Sequence, residues 1–311
     1  MATYKEIHGV KVQSLDSDPT ALAGDVWYNA STGLLKMYTY AAGTWATGGA
    51  LNQARNAPGG GAGTQTAGLV FGGGDPDYGQ TEEYDGSSWA EQSDLNTARR
   101  EVAGLGLQTA GIAVAGINGT TRQAVCELYD GSSWTEVGDA NTARRYTTGC
   151  GISTSGLLIG GNSGSITGIV ESWNGTSWTE TGDLNTARLS LAAAGDVSTS
   201  AIAFGGGNPT KDETESFDGS SWTEVGDLNS ARSELGGAGV ATAALAAGSA
   251  TLTESFDGSS WTAENTLANS HTANMTSGTS LAAFCCGRNA SPYALNEEWT
   301  SAIAAQTVAF D

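Results

Sequence analysis

The sequence predicts an all-β fold, and three observations carry that prediction. A string Asp/Asn-Gly-Ser/Thr-Ser-Trp recurs at residues 85–89, 130–134, 174–178, 218–222 and 257–261, after a degenerate copy at residues 41–45. Its tryptophans, Trp45, Trp89, Trp134, Trp178, Trp222 and Trp261, are spaced by 44, 45, 44, 44 and 39 residues. Glycine is dense (45 residues) and proline scarce (5), which suits short strands and tight turns better than long helices. A fixed period of 39–45 residues is the signature of a repeat architecture such as a propeller.

Each repeat has room for four strands. A cation stands ten residues after each tryptophan: Arg55, Arg99, Arg144, Arg188, Arg232 and, in the last copy, His271. The first strand follows it and is rich in Gly and Ala. The second is a short apolar run ending in glycines, as in residues 67–74, 155–161 and 201–207. The third carries Glu-x-aromatic, with Glu82, Glu127, Glu171, Glu215, Glu254 and Glu297 as its acids. The fourth carries the tryptophan, and Asp-Gly between the third and fourth is a hairpin signal because glycine tolerates positive φ there. Residues 1–35 lack these features and read as a separate N-terminal arm with a hairpin; residues 36–311 hold the repeats.

Charge and composition narrow the function. The formal net charge is −20, with 33 acidic residues against 13 Lys and Arg. Such a chain is repelled by nucleic-acid phosphates and anionic membranes, so neither is an expected partner. Like charge also keeps a repetitive β protein from associating with itself. No apolar run has the length of a signal peptide or a membrane span. Cys126, Cys150, Cys285 and Cys286 have no zinc-ligand spacing and read as free thiols, the last two standing where other repeats have Gly-Gly.

The order apolar run–Gly-Gly, Glu-x-Tyr-Asp, Trp, Arg resembles the kelch repeat over residues 36–300. Kelch units run to about 50 residues, so these are compact copies. The resemblance implies a six-bladed kelch-like β-propeller in which the arginines and glutamates above tie blades together, with His271 departing from the pattern. The wording YDGSSWTEVGDANTARR at residues 129–145 and the segment at residues 24–36 resemble kelch-like virion proteins of tailed marine bacteriophages. That likeness implies a virion structural protein assembled in the host cytoplasm: a fibre, neck or head-decoration element, oligomeric on the particle. Its arm would bind other virion proteins. The loops at residues 75–80, 118–123, 162–168, 208–212 and 289–294 would meet a host surface ligand.

Ring closure has two candidate strands. Counting forward from each cation leaves the last repeat without its tryptophan strand and leaves the Trp45 strand without a repeat. Donating the Trp45 strand to the C-terminal blade completes the ring; the alternating tail at residues 304–310 could fill the same slot.

The residues offer little catalytic material. The same Arg and Glu once per repeat read as structural, and the tryptophans as blade packing. The repeated string fails the Asp-box of sialidases, because its aspartate lies four residues before the tryptophan instead of five. His8 and His271 are the only histidines, too few for a triad or a histidine metal centre. Acids after the tryptophans, Glu136, Asp139, Glu180, Asp183, Glu224 and Asp227, read as protection of an outer edge. No catalytic residue, cofactor or metal is expected; a carbohydrate-acting enzyme on the same scaffold is the alternative.

Overall fold

The computed structural model describes residues 13–19, 25–55, 59–272, 275–287 and 294–307. The chain divides into two compact units, Met1–Gly43 with Ser301–Asp311, and Thr44–Thr300. Every regular element among the described residues is a strand, and no helix is long and apolar enough to cross a membrane.

In the first unit, Val26–Asn29 and Leu34–Tyr40 form an antiparallel hairpin. Its turn is held by Asn29, whose side-chain oxygen accepts the Thr32 amide at 3.0 Å. Gln13–Leu15 adds in parallel to one side and Ile303–Thr307 antiparallel to the other. The hairpin's second strand therefore runs past residue 35, where the sequence put the end of the arm. The C-terminal tail, a rival for the last repeat's open slot, pairs here with Leu34–Tyr40 instead. Residues 308–310 of that tail lie outside the described residues, as do residues 1–12 and 20–24 of the arm.

The second unit contains six four-stranded antiparallel sheets among its described residues. Sheet I comprises Gly60–Thr64, Ala67–Phe71, Thr81–Tyr84 and Trp89–Gln92. Sheet II comprises Ala103–Leu107, Ala110–Val114, Cys126–Tyr129 and Trp134–Glu136. Sheet III comprises Thr148–Ile152, Ser155–Ile159, Val170–Trp173 and Trp178–Glu180. Sheet IV comprises Ala192–Val197, Ser200–Phe204, Thr214–Phe217 and Trp222–Glu224. Sheet V comprises Leu235–Val240, Ala243–Gly248, Thr253–Phe256 and Trp261–Ala263. Sheet VI comprises Met275–Gly278, Ala282–Cys286, Asn296–Thr300 and, from the other end of the chain, Thr44–Thr47. In that last pairing Trp45 lies opposite Trp299.

The arrangement is propeller-like. First strands touch first strands between I and II, II and III, III and IV, IV and V, V and VI, and VI and I. Their small residues permit this: a Cβ on Gly104 of sheet II would collide with the backbone of Gly61 in sheet I. The apolar core lies between sheets. One cluster joins Leu69 and Phe71 of sheet I to Ala113, Tyr129 and Trp134 of sheet II. Another joins Phe284 and Cys286 of sheet VI to Val70, Tyr84 and Trp89 of sheet I.

The register also corrects the reading of the paired cysteines. Cys286 pairs with Met275 as Phe71 pairs with Gly60, and Gly287 follows as Gly72 does. Cys285 and Cys286 thus end the second strand, replacing Val70 and Phe71 rather than a glycine pair, and both are buried. Burial pushes the Cys286 thiol up.

The Thr44–Thr47 strand covers an edge of Asn296–Thr300 that would otherwise be open. Removing residues 1–50 should therefore lower stability by about 3–5 kcal/mol and promote aggregation, whereas removing residues 1–30 should leave the second unit's unfolding transition in place. Chemical denaturation with light scattering compares the two.

Candidate functional site

Each glutamate of the Glu-x-aromatic signature sits on the third strand of its sheet, and each is buried. Burying a carboxylate is costly unless it is fully hydrogen-bonded. Here the donors come from the segment that enters the sheet. Glu127 accepts the Asn96 amide at 2.7 Å, the Asn96 side chain at 2.9 Å, the Thr97 amide at 3.3 Å, and the Arg99 guanidinium. Glu171 repeats this with Asn141, Thr142 and Arg144, and Glu215 with Asn185, Thr186 and Arg188. Glu82 holds the Asn52 and Gln53 amides and Arg55 at 3.0 Å.

The arginine reaches in two directions. Its side chain enters the following sheet, where Arg99 also donates to the Ala113 and Ala115 carbonyls. Its own carbonyl accepts an amide from the preceding sheet: Gly73 donates to Arg99, Gly116 to Arg144, Gly161 to Arg188 and Gly206 to Arg232. Burial draws Arg55, Arg144, Arg188 and Arg232 below the usual arginine value, and the facing glutamates oppose that shift.

Two repeats depart from this geometry. In the fifth, Arg232 lies 3.0 Å from Glu254, but its Nε and both terminal nitrogens lack an aligned acceptor among the described residues. In the sixth, His271 replaces arginine. Its Nε2 meets Glu297 at 3.1 Å and its Nδ1 meets the Gly287 carbonyl at 2.9 Å. Both partners can only accept, so both ring nitrogens carry protons and the imidazole is charged. Desolvation opposes that charge, yet Cys285, Glu297 and the Gly287 carbonyl outweigh it and push the pKa up to about 10.

The tryptophans lie between sheets. Trp134 packs edge-on against Phe71 of sheet I at 4.8 Å and donates to Thr81 Oγ1 at 2.9 Å. Trp261 does the same against Phe204 and Thr214 of sheet IV. Trp89 meets Phe284 of sheet VI at 5.7 Å. Trp178 lies in one cluster with Ile112 and Val114 of sheet II, and Trp222 in one with Leu157 and Ile159 of sheet III. Trp45 is only half-buried, although it donates to Thr253 of sheet V at 2.8 Å.

Sequence reasoning missed several of these groups. Asn52, Asn96, Asn141, Asn185 and Asn229 recur three residues before the arginine, a legible signal. Asp139, Asp183 and Asp227, read as edge charges, accept the amides of Cys126, Val170 and Thr214 at the start of the third strands.

The arginine end also opens on a cavity of about 210 Å³ lined by the first strands of all six sheets. Its rim holds Glu101, Tyr146, Ser190 and Glu234, each with positive φ and each two residues beyond a tie arginine. Backbone bonds link part of the rim: Ser190 donates to the Tyr146 carbonyl and Glu234 to the Ser190 carbonyl, both at 2.9 Å. Arg145 lies 3.3 Å from Glu101 and covers the Tyr146 ring at 4.9 Å. Burial raises Glu101 above the usual carboxylate range despite Tyr146, Arg145 and Arg100, and burial beside Glu101 pushes Tyr146 up to about 12. Such a rim can recognise a polar group. Among the described residues no group of three or more His, Cys, Asp or Glu could hold a metal ion.

Of the loops singled out in the sequence, neighbours are fastened together. Asp77 accepts from Arg100 and from the Gly119 amide, and Arg122 donates to Asn162 at 2.9 Å. Most of the 289–294 loop lies outside the described residues. No protein-family model and no curated protein matches the chain.

Two outcomes follow. Glu127→Gln strands Arg99 and should lower stability by about 3–5 kcal/mol in urea denaturation. The His271 tie is fully present below the unfolded imidazole pKa of 6.5 and should be lost as pH rises through about 10. Stability of His271→Arg measured across that interval should fall less than that of the parent.

Proposed function

We propose that the Thr44–Thr300 unit is a six-bladed kelch-like β-propeller, closed by the Trp45 strand, and that the chain is a structural part of a bacteriophage virion. In this reading the propeller is displayed outward as a fibre, neck or head-decoration element and has no catalytic activity. The observation that carries the structural, non-catalytic reading is the fate of the charged residues. The buried Arg–Glu pairs recur at one place in sheets I to V, and His271–Glu297 takes that place in sheet VI. Groups spent in this way hold segments in place and are closed to a substrate. The cyclic contacts of the first strands and the Thr44–Thr47 pairing support the ring.

The arm at residues 1–35 would attach the protein to the particle. The fastened loops at the arginine end would present a binding surface, since loops held on a rigid scaffold commonly carry recognition. A carbohydrate-acting enzyme is favoured by one feature only, the pair of carboxylates, Glu101 and Glu234, on the axial cavity.

Deleting residues 1–30 should yield a folded, soluble protein that no longer enters assembled particles, scored by immunoblot of purified virions; normal incorporation places the attachment elsewhere. Glycan hydrolysis by the parent, lost in Glu101→Gln, would favour the enzyme instead.

A further inference from the structure

The other end of the first strands carries exposed apolar side chains at one repeat position. That position is Thr64 in sheet I, Leu107 in II, Ile152 in III, Val197 in IV, Val240 in V and Thr279 in VI. Leu107 is 50% exposed, Ile152 38% and Val240 36%, and Val197 is half-buried. Among the described residues of the Thr44–Thr300 unit, three of the four exposed large hydrophobic residues therefore stand at this one position. The first strands of sheets II, III, IV and V are consecutive neighbours, so the four side chains form one arc around the axis. Isolated exposed apolar residues need no explanation, but exposure repeated at one position in four neighbouring sheets does.

The local backbone accounts for the exposure. Leu105 is buried between sheets, Gly106 has φ +103°, and the chain then turns Leu107 outward. The platform is tied together beneath the arc. Gln108 bridges to the Gly68 and Tyr84 carbonyls of sheet I at 3.1 and 2.7 Å, and Ser155 meets Ser198 of sheet IV at 2.9 Å.

The same end is uniformly acidic. It carries the exposed Asp196 and the turn aspartates Asp85, Asp130, Asp218 and Asp257. Hydrogen bonds from Ser87 and Ser88 hold Asp85 down to about 2, and those from Ser221 and Ser220 do the same for Asp218. The tie arginines are buried, and Arg100, Arg122, Arg145 and Lys211 all lie in segments at the opposite end. Among the described residues of this unit, no Lys or Arg stands beside the arc.

We propose that this end docks a polypeptide segment whose apolar side chains cover the Leu107–Ile152–Val197–Val240 arc and whose flanking Lys or Arg residues meet the surrounding aspartates. Charge decides among the occupants. Anionic lipid headgroups and nucleic acids are repelled, and the same end of a second copy is equally acidic. A basic, apolar segment matches both features, and the tied platform spares much of the ordering cost of binding.

The test titrates the full chain with three short synthetic peptides of alternating Leu/Lys, Ser/Lys and Leu/Glu, by fluorescence anisotropy at low and physiological salt. The Leu/Lys peptide should bind, and the combined variant Leu107→Ser, Ile152→Ser, Val240→Ser should bind it at least about tenfold more weakly with an unchanged melting curve. Replacing Asp85, Asp130, Asp218 and Asp257 by Asn should weaken binding and flatten its salt dependence. Equal binding of Ser/Lys and Leu/Lys, or unchanged binding by the triple-serine variant, overturns the proposal. So does parent self-association in sedimentation, or binding to zwitterionic vesicles, if the triple variant abolishes it. None of these outcomes depends on a virion role.

Discussion

The carboxylate on each third strand is the group the rest of the sheet unit is arranged around. A buried, ionised glutamate is tolerable only when its lone pairs are filled, and losing one partner is far more damaging than the pair is stabilising. Its donors, two main-chain amides, a side-chain amide and a guanidinium in sheet II, come from a single segment of about four residues. That segment is also the link from the preceding sheet. Moving one sheet relative to its neighbour would pull the link away and strand a buried charge, so the ion fixes inter-sheet geometry while apolar packing supplies most of the cohesion.

The imperfect repeats show which half of the tie is indispensable. In the sixth, histidine replaces arginine, Ala268 stands at the asparagine position, and the side-chain amide comes from Asn269, one residue later. The glutamate is nevertheless fully served. In the fifth, the connection between the second and third strands is shorter, Gly248 to Thr253, and the tryptophan spacing falls to 39 residues. Arg188 uses the Gly205 and Glu213 carbonyls bounding the longer loop of sheet IV. With that loop shortened, Arg232 has no matching pair of carbonyls among the described residues. Donors can be exchanged or left poorly aligned; the acceptor is present in all six sheets.

Most of the sheet unit was legible in the sequence because its strongest constraints act at short, fixed separations. Glu and aromatic share a strand face two residues apart, Asp-Gly marks the turn, and the arginine follows the tryptophan at a set distance. The asparagines were equally periodic but went unread, because their partners, such as the Trp134 and Trp178 carbonyls, lie in the next repeat. The axial rim was hidden for another reason. Nothing local reveals that Glu101, Tyr146, Ser190 and Glu234 share one cavity until the first strands are known to be innermost. The partner of Leu34–Tyr40 was hidden because Ile303–Thr307 lies almost the whole chain away.

Repetition also governs where specific chemistry can reside. A residue type that recurs in every sheet has been fixed by the demands of stacking sheets, and the Arg, Glu, Asn and Trp positions are of this kind. Recognition requires unlike groups side by side, which a perfect repeat cannot supply. Two positions break the repetition while remaining close to the axis, where neighbouring sheets bring their side chains together. One, two residues past the tie cation, offers Glu101, Tyr146, Ser190 and Glu234 in successive sheets. The other, at the far end of the first strand, offers Leu107, Ile152, Val197 and Val240 between Thr64 and Thr279. The first end holds the unit's described surface cations and polar rim, and the second holds apolar groups amid unopposed aspartates. The two ends of the first strands thus differ in where the described surface cations stand and in their exposed apolar groups.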